Sequence, residues 1–223
     1  MPIRKTPLVT GEVYHILNRG VNYQPIFNSK RDYKRAVEVL NFYITADPPV
    51  RYSKFLLLPK KEQESLLENL QKQPKLVDLI CYCFVPNHFH LLLKQNIDNG
   101  ISSFVRNFQI SYTRYYNVKT KRIGHLLQGQ FKAVRIENDK QLLHVSRYIH
   151  LNPFSSFIVK NLKDIEFYPW SSYQEYSEGS KSEICQKSLI YSMIKSNKKY
   201  TEFVLNHADY QRQLECIKHM TFE

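Results

Sequence analysis

Apolar and polar positions along the 223-residue chain alternate in some stretches and recur at helical spacing in others. Residues 13–18, Val-Tyr-His-Ile-Leu-Asn, mix the two as a strand does, and Arg19-Gly20 ends them. A loop with Asn22, Pro25 and Asn28 follows. Asn28 or Ser29 can cap a helix that begins near Arg31, where Tyr33, Ala36, Val37, Leu40 and Ile44 share one face. Asp47-Pro48-Pro49 stops it, because proline cannot continue a helix. Residues 50–75 read as an insertion: an apolar patch from Phe55 to Leu58, then a charged helix from Pro59 to about Gln71.

Residues 76–85 form an apolar run that suits a buried strand. Pro86-Asn87 interrupts it and 88–94 resumes, so the two stretches predict an antiparallel pair. Asp98 or Asn99 opens a helix of about twenty residues, with Ile101, Phe104, Val105, Phe108 and Tyr112 on its core face. Gly124 to Ile136 is a strand or extended segment. Asn138 or Asp139 caps a helix over 140–151, with Pro153 just beyond it. Residues 154–176 are irregular and aromatic, and 182–195 and 199–219 read as two short helices. The order predicts an α+β sandwich, an antiparallel sheet with helices on one side.

The length fits one large domain, or one domain with a small appendage. With 43% apolar residues the chain can bury a real core. No apolar run approaches the ~20 residues that span a bilayer, and the N-terminus has no apolar signal segment. The expected location is therefore the cytoplasm, with no membrane partner. Cys81, Cys83, Cys185 and Cys216 are too few and scattered for a disulfide framework. Cys81 and Cys83 would share a strand face as buried thiols.

Charge changes the picture. The chain carries 32 Lys+Arg against 20 Asp+Glu, a net +12, which points to a polyanionic partner. Between Asn99 and Ile136 there is no acid, yet there are seven cations: Arg106, Arg114, Lys119, Lys121, Arg122, Lys132 and Arg135. Phe104, Phe108, Tyr112, Tyr115, Tyr116 and Phe131 interleave with them. Cations can hold phosphates and aromatic faces can stack on unpaired bases. The same pattern also describes a basic helix whose aromatics face the core.

His88-Phe89-His90 is the sharpest chemical feature. On a strand, residues i and i+2 point to one face, about 6.6 Å apart along the axis. Two imidazoles there can converge on a metal ion, or be two satisfied polar groups. Among Phe84, Val85, Leu91, Leu92 and Leu93 they need partners, because unpartnered polar burial is costly. Tyr148 and Asn152 lie four apart on a helix and so share a face.

The string Val85-Pro86-Asn87-His88-Phe89-His90-Leu91-Leu92, followed by Arg147-Tyr148-Ile149-His150-Leu151-Asn152-Pro153, resembles the HUH single-tyrosine transposases. The closest resemblance is to the REP-associated tyrosine transposase group of the IS200-like family. Tyr14-His15-Ile16-Leu17-Asn18-Arg19-Gly20, Leu127-Gln128-Gly129-Gln130-Phe131-Lys132 and Tyr168-Pro169-Trp170-Ser171-Ser172-Tyr173 add to it, over about residues 10–176.

The resemblance implies a ferredoxin-like sheet with helices packed on it, in a catalytic domain over 1–176, and leaves 177–223 as a small helical extension. It implies that His88 and His90 hold a divalent metal, Mg²⁺ or Mn²⁺, with Asn152 as third ligand. It implies that Tyr148 is the nucleophile that joins DNA as a 5′-phosphotyrosine. The implied substrate is single-stranded DNA with a hairpin, held by the seven cations and by Arg147. A homodimer is compatible with it, with the tyrosine helix in cis or in trans. The competing expectation is a catalytically silent, sequence-specific DNA-binding protein of the same fold.

Overall fold

Eight of the nine residues from Val77 to Val85 pair antiparallel with the eight from His88 to Gln95 across the two-residue connection Pro86-Asn87, with a bulge at Ile80. These are strands β2 and β3 of a computed structural model that describes residues 7–46, 48–177, 184–194 and 196–213. The first six residues, Asp47, Cys216 and the outer ends of the helices expected at 182–195 and 199–219 lie outside the described residues.

β1 (Val13–Arg19) runs antiparallel to β3 on its other side, and the short β4 (Lys132–Arg135) pairs with β1. The spatial order is β2-β3-β1-β4. This is the ferredoxin-like order, with the two central strands β3 and β1 inside. β3 is therefore hydrogen-bonded along both edges. The outer edge of β2 is covered as well: Phe84 N–H donates to Trp170 O at 2.9 Å, and Gln186 N–H to Leu79 O at 2.7 Å. Such cover removes an unpaired ladder that could template aggregation.

Alternation of side chains gives the sheet two different faces. Phe89 turns toward α4 (Gly100–Thr120), its ring 5.3 Å from Phe108. α1 (Lys30–Phe42) packs with α4 on that face, where Phe27 meets Tyr33 of α1, Phe84 of β2 and Tyr112 of α4. His90, one residue on, turns to the opposite face, where α5 (Asp139–Ser155) lies with Tyr148. The expectation of helices on one side is thus corrected. The α5 face of the sheet is also buried, so both faces of β2 read as apolar.

Two other expectations change. Pro153 does not end its helix: α5 runs through it to Ser155, and Ser156 N–H still reaches Asn152 O at 2.9 Å. Proline costs only the bond its missing N–H would have made. Arg212 donates to Phe154 O at this end of the helix, and to Val159 O and Lys160 O in the segment that follows. At the start, Asn138 is the cap, accepting from Gln141 N–H at 2.9 Å. The aromatics of the acid-free run mostly face the core: Phe104, Phe108, Tyr112 and Tyr116 are all buried.

The C-terminal residues pack on α5. After the short α6 (Tyr173–Tyr176) and α7 (Ser188–Tyr191) comes α8 (Asn197–Leu205), whose Tyr200 donates its hydroxyl proton to Ser146 Oγ or His150 Nδ1, 3.0 and 2.8 Å away. His150 Nε2 in turn meets Ser172 Oγ at 2.8 Å. Gln211 Nε2 donates to the carbonyl of Tyr148 at 3.0 Å. The insertion contains α2 (Tyr52–Phe55) and α3 (Lys60–Gln71), close to the stretches expected there. Cys81, Cys83 and Cys185 are free and buried, as core thiols.

Candidate active site

β3 places His88 and His90 on the α5 face, with ring centroids 4.9 Å apart. Each imidazole is oriented from behind. His88 Nδ1 meets Asn87 Oδ1 at 2.6 Å, which leaves His88 Nε2 facing away from the turn. His90 Nδ1 meets His15 Nε2 at 2.8 Å. His15 is on β1, two residues before Leu17, which lies opposite His90, so the two histidines share a face. A ring nitrogen held by a second group fixes the tautomer and direction of the other, as behind metal-bound histidines.

Asn152 enters from α5. Its amide Nδ2 lies 3.4 Å from His90 Nε2, and its side chain also bonds His88. The opposite amide rotamer presents Oδ1 to the same imidazoles, since the two ends of an amide interchange by rotation. One helical turn earlier, the Tyr148 ring stands edge-on to His90 with centroids 5.5 Å apart, and 6.1 Å from His15. Tyr148 is half-buried, whereas His90 and Asn152 are buried.

Burial sets the electrostatics. It lowers His88 to a pKa of about 4, helped by the positive charge of Arg19 and opposed by the bond from Asn152. Burial alone lowers His15 to about 4. Both rings are therefore neutral at pH 7, the state in which an imidazole can bind a cation. His88, His90 and Asn152 form a set of nitrogen and oxygen donors that leaves further coordination positions for phosphate and water. That set fits a divalent cation. Among the described residues no group of three or more His, Cys, Asp or Glu could hold one; here the third donor is an amide.

The model of the family described as "Transposase IS200 like" matches residues 49–152. Over these residues, just under half of the chain, it is similar to the IS200-like transposase family. Among solved structures, a "REP associates tyrosine transposase bound to a REP hairpin" matches with a TM-score of 0.50 and 15% identity, covering 85% of this chain and 96% of that one. At that identity the likeness is one of fold. No curated protein matches.

The eight cations expected at DNA are not gathered round the histidines. Lys132 lies opposite Leu17, so it shares the sheet face of His90. Arg106, Arg114, Lys119 and Lys121 belong to α4 or its end, across the sheet, and Arg106, Arg114 and Lys121 are exposed. Arg122 is half-buried in the following turn. Three of the eight have intramolecular partners. Lys119 Nζ lies 2.6 Å from the buried Asp32, which also accepts from Tyr115, Ser29 and Asn28 N–H at the start of α1. Arg135 pairs with Glu12 at 2.8 Å. Arg147 departs most from expectation. It is buried over the Phe203 ring, 4.4 Å from its centroid, and donates to Phe203 O and His144. Its place beside Tyr148 in sequence turns it a third of a helical turn away, onto α8.

Two residues beside the site carry signals that sequence reasoning did not use. His15 was visible as the His of Tyr14-His15, but only pairing of β1 with β3 brings it behind His90. Arg19 lies opposite His88 in the ladder, its guanidinium 5.0 Å from the exposed ring of Tyr23. Tyr23 and Asn22 both have left-handed backbone, at φ 57° and 52°. Gly20 is required before this turn, because a Cβ there would run into Gln24 O.

Proposed function

We propose that this chain is a metal-dependent, single-tyrosine transposase that cleaves and rejoins single-stranded DNA. The observation that carries the reading is the convergence of His88, His90 and Asn152 in front of the Tyr148 ring, 5.5 Å from His90. A pure DNA-binding protein has no need of two back-oriented histidines beside a half-buried phenol.

Held by His88, His90 and Asn152, Mg²⁺ or Mn²⁺ would polarise the scissile phosphate and draw charge from its oxygens. The residues of the chain do the rest. His15 and Asn87 keep the two imidazoles aimed. Arg19 adds positive charge at the His88 end, where a phosphate would sit. Tyr148 presents its hydroxyl oxygen to the phosphorus. A Tyr148 O–P bond forms, the P–O3′ bond breaks, the phenol proton is lost, and the 3′ oxygen leaves as a hydroxyl after gaining a proton. The product is a 5′-phosphotyrosine and a free 3′-OH. The phosphodiester is conserved, so attack by a 3′-OH reverses the step and rejoins DNA without a nucleotide cofactor.

A hairpin in the substrate is supported by the REP hairpin on the structurally similar transposase. The catalytic unit is read as residues 1–176, with 177–223 bracing α5 through α8. A homodimer in the cytoplasm completes the reading; no helix among the described residues is long and apolar enough to cross a membrane.

The test is incubation with Mn²⁺ or Mg²⁺ and single-stranded oligonucleotides from the flanks of the gene, followed by a denaturing gel. A covalent protein–DNA adduct is expected, absent in Tyr148→Phe and in His88→Ala. Cleaved ends without an adduct would assign hydrolysis instead. Binding without cleavage under either metal would assign the silent DNA-binding protein.

A further inference from the structure

On the far side of the sheet from His90 lies a second feature that cleavage does not use. An open groove of about 790 Å³ runs between α1, the segment around α2 and the outer face of α4. Four arginines line it: Arg31 and Arg35 from α1, Arg51 before α2, and Arg114 from α4. The lining contains no carboxylate. Its fifth cation, Lys119, is neutralised by Asp32. Arg31, Arg51 and Arg114 are exposed and make no ion pair among the described residues.

Arg35 is built into the floor. Its guanidinium lies 5.1 Å from the Tyr52 ring centroid and 4.9 Å from that of Tyr115. The two hydroxyls are anchored, on Glu38 at 3.0 Å and on Asp32 at 2.9 Å. The rim is apolar, with Leu57 76%, Ile110 49% and Val118 81% exposed. Exposed apolar side chains on a basic rim mark a surface that meets something.

We propose that this groove binds a nucleic-acid strand, as a second DNA contact separate from the cleavage centre. Three unpaired guanidiniums suit phosphates, which they can grip with two parallel hydrogen bonds. The apolar rim and the half-buried Tyr115 suit base and sugar faces. A second copy of this chain is the less fitting occupant, since it also carries +12 and would meet a positive groove. The groove rests on the reading of the substrate as DNA, and extends it to the strand that flanks the scissile bond. It also gives part of the basic run a place: Arg114 lies across the sheet from the histidines because it belongs to this surface.

The experiment compares wild type with Arg31→Gln/Arg51→Gln. Both residues are exposed and lie on different elements, so the double variant should keep the wild-type thermal melt. Binding to an oligodeoxythymidine of about 30 nucleotides is followed by fluorescence anisotropy over a range of salt concentrations. Each phosphate contact on a single strand contributes about 0.7 to the slope of log K against log salt. The proposal expects the slope to fall by about 1.4 and affinity at 0.1 M salt to fall roughly 25-fold. Adduct formation on a short oligonucleotide at saturation should be unchanged.

An unchanged slope and affinity would overturn it. So would a variant that shifts from dimer to monomer by sedimentation with DNA affinity intact, because the groove would then be an interface between copies. If the slope falls as expected and no adduct forms with either protein, the groove stands and the cleavage reading fails.

Discussion

β3 and α5 supply the two halves of the candidate site, and they are held by different means. β3 is a central strand, hydrogen-bonded to β1 and β2 along its length, so the direction of His88 and His90 follows from strand geometry and register. α5 has no such ladder. It lies on the sheet and is clamped from its outer side by Tyr200, Phe203, Gln211 and Arg212. The histidines are thus placed by main-chain pairing, whereas Tyr148 and Asn152 are placed by side-chain packing from distant sequence. Errors in the first would cost a fold; errors in the second would cost a distance.

The largest test of this contrast removes the clamp. Tyr200→Ala empties a fully buried site and leaves Ser146 and His150 without their shared hydroxyl. A loss of about 3–5 kcal/mol in unfolding free energy is expected, the range for truncating a buried aromatic. Native-state hydrogen exchange should show α5 amides opening before those of β3. Equal acceleration in both elements would mean that the helix is not separately held.

A smaller effect is expected at the strand. His15→Ala removes the group behind His90 Nδ1 while leaving the ladder intact. Mn²⁺ affinity, measured by calorimetry, should fall about 10–100-fold, the usual range for loss of a group that orients a ligand. The melt in the absence of metal should move little. Unchanged Mn²⁺ affinity would remove His15 from the site.

The smallest effect is a slope. Burial lowers His150 to a pKa of about 3. Between its ordinary value of about 6.5 and 3, the unfolded chain binds a proton that the folded chain does not, so stability falls as pH falls through that window. One such histidine contributes at most about 1.4 kcal/mol per pH unit. His15 and His88 act in the same direction from 6.5 down to about 4. His150→Gln should reduce the acid slope by about one proton in urea titrations at successive pH values. An unaltered slope would show that His150 is charged in the folded state.

Much of the fold was legible. The alternation around Val-Tyr-His-Ile-Leu-Asn, the two apolar runs split by Pro86-Asn87 and the helical spacing over 100–120 all correspond to observed elements, because period and turn chemistry act locally. The His-Phe-His pair was legible for the same reason: a strand must send residues 88 and 90 one way and 89 the other. Pro153 misled, because a proline near the last turn loses one bond and the helix continues, with Arg212 donating to the Phe154 carbonyl. Arg147 misled because adjacency in a helix means divergence in space. The acid-free run misled in part, since its aromatics turn inward and Lys119 answers a buried carboxylate more than 80 residues earlier.

The sequence by itself determined the elements, the α+β class and the paired histidines. Each of these depends on spacing along the chain, which periodicity and steric rules translate directly into geometry. Only the tertiary structure decided what stands behind and beside them. The strand order brings His15 to His90 and Arg19 to His88. Burial neutralises His15 and His88, and the C-terminal residues press α5 into place. Arg51 and Arg114, remote in sequence, meet in one groove. Those relations depend on which surfaces bury one another, a property of the whole packed chain rather than of any stretch within it.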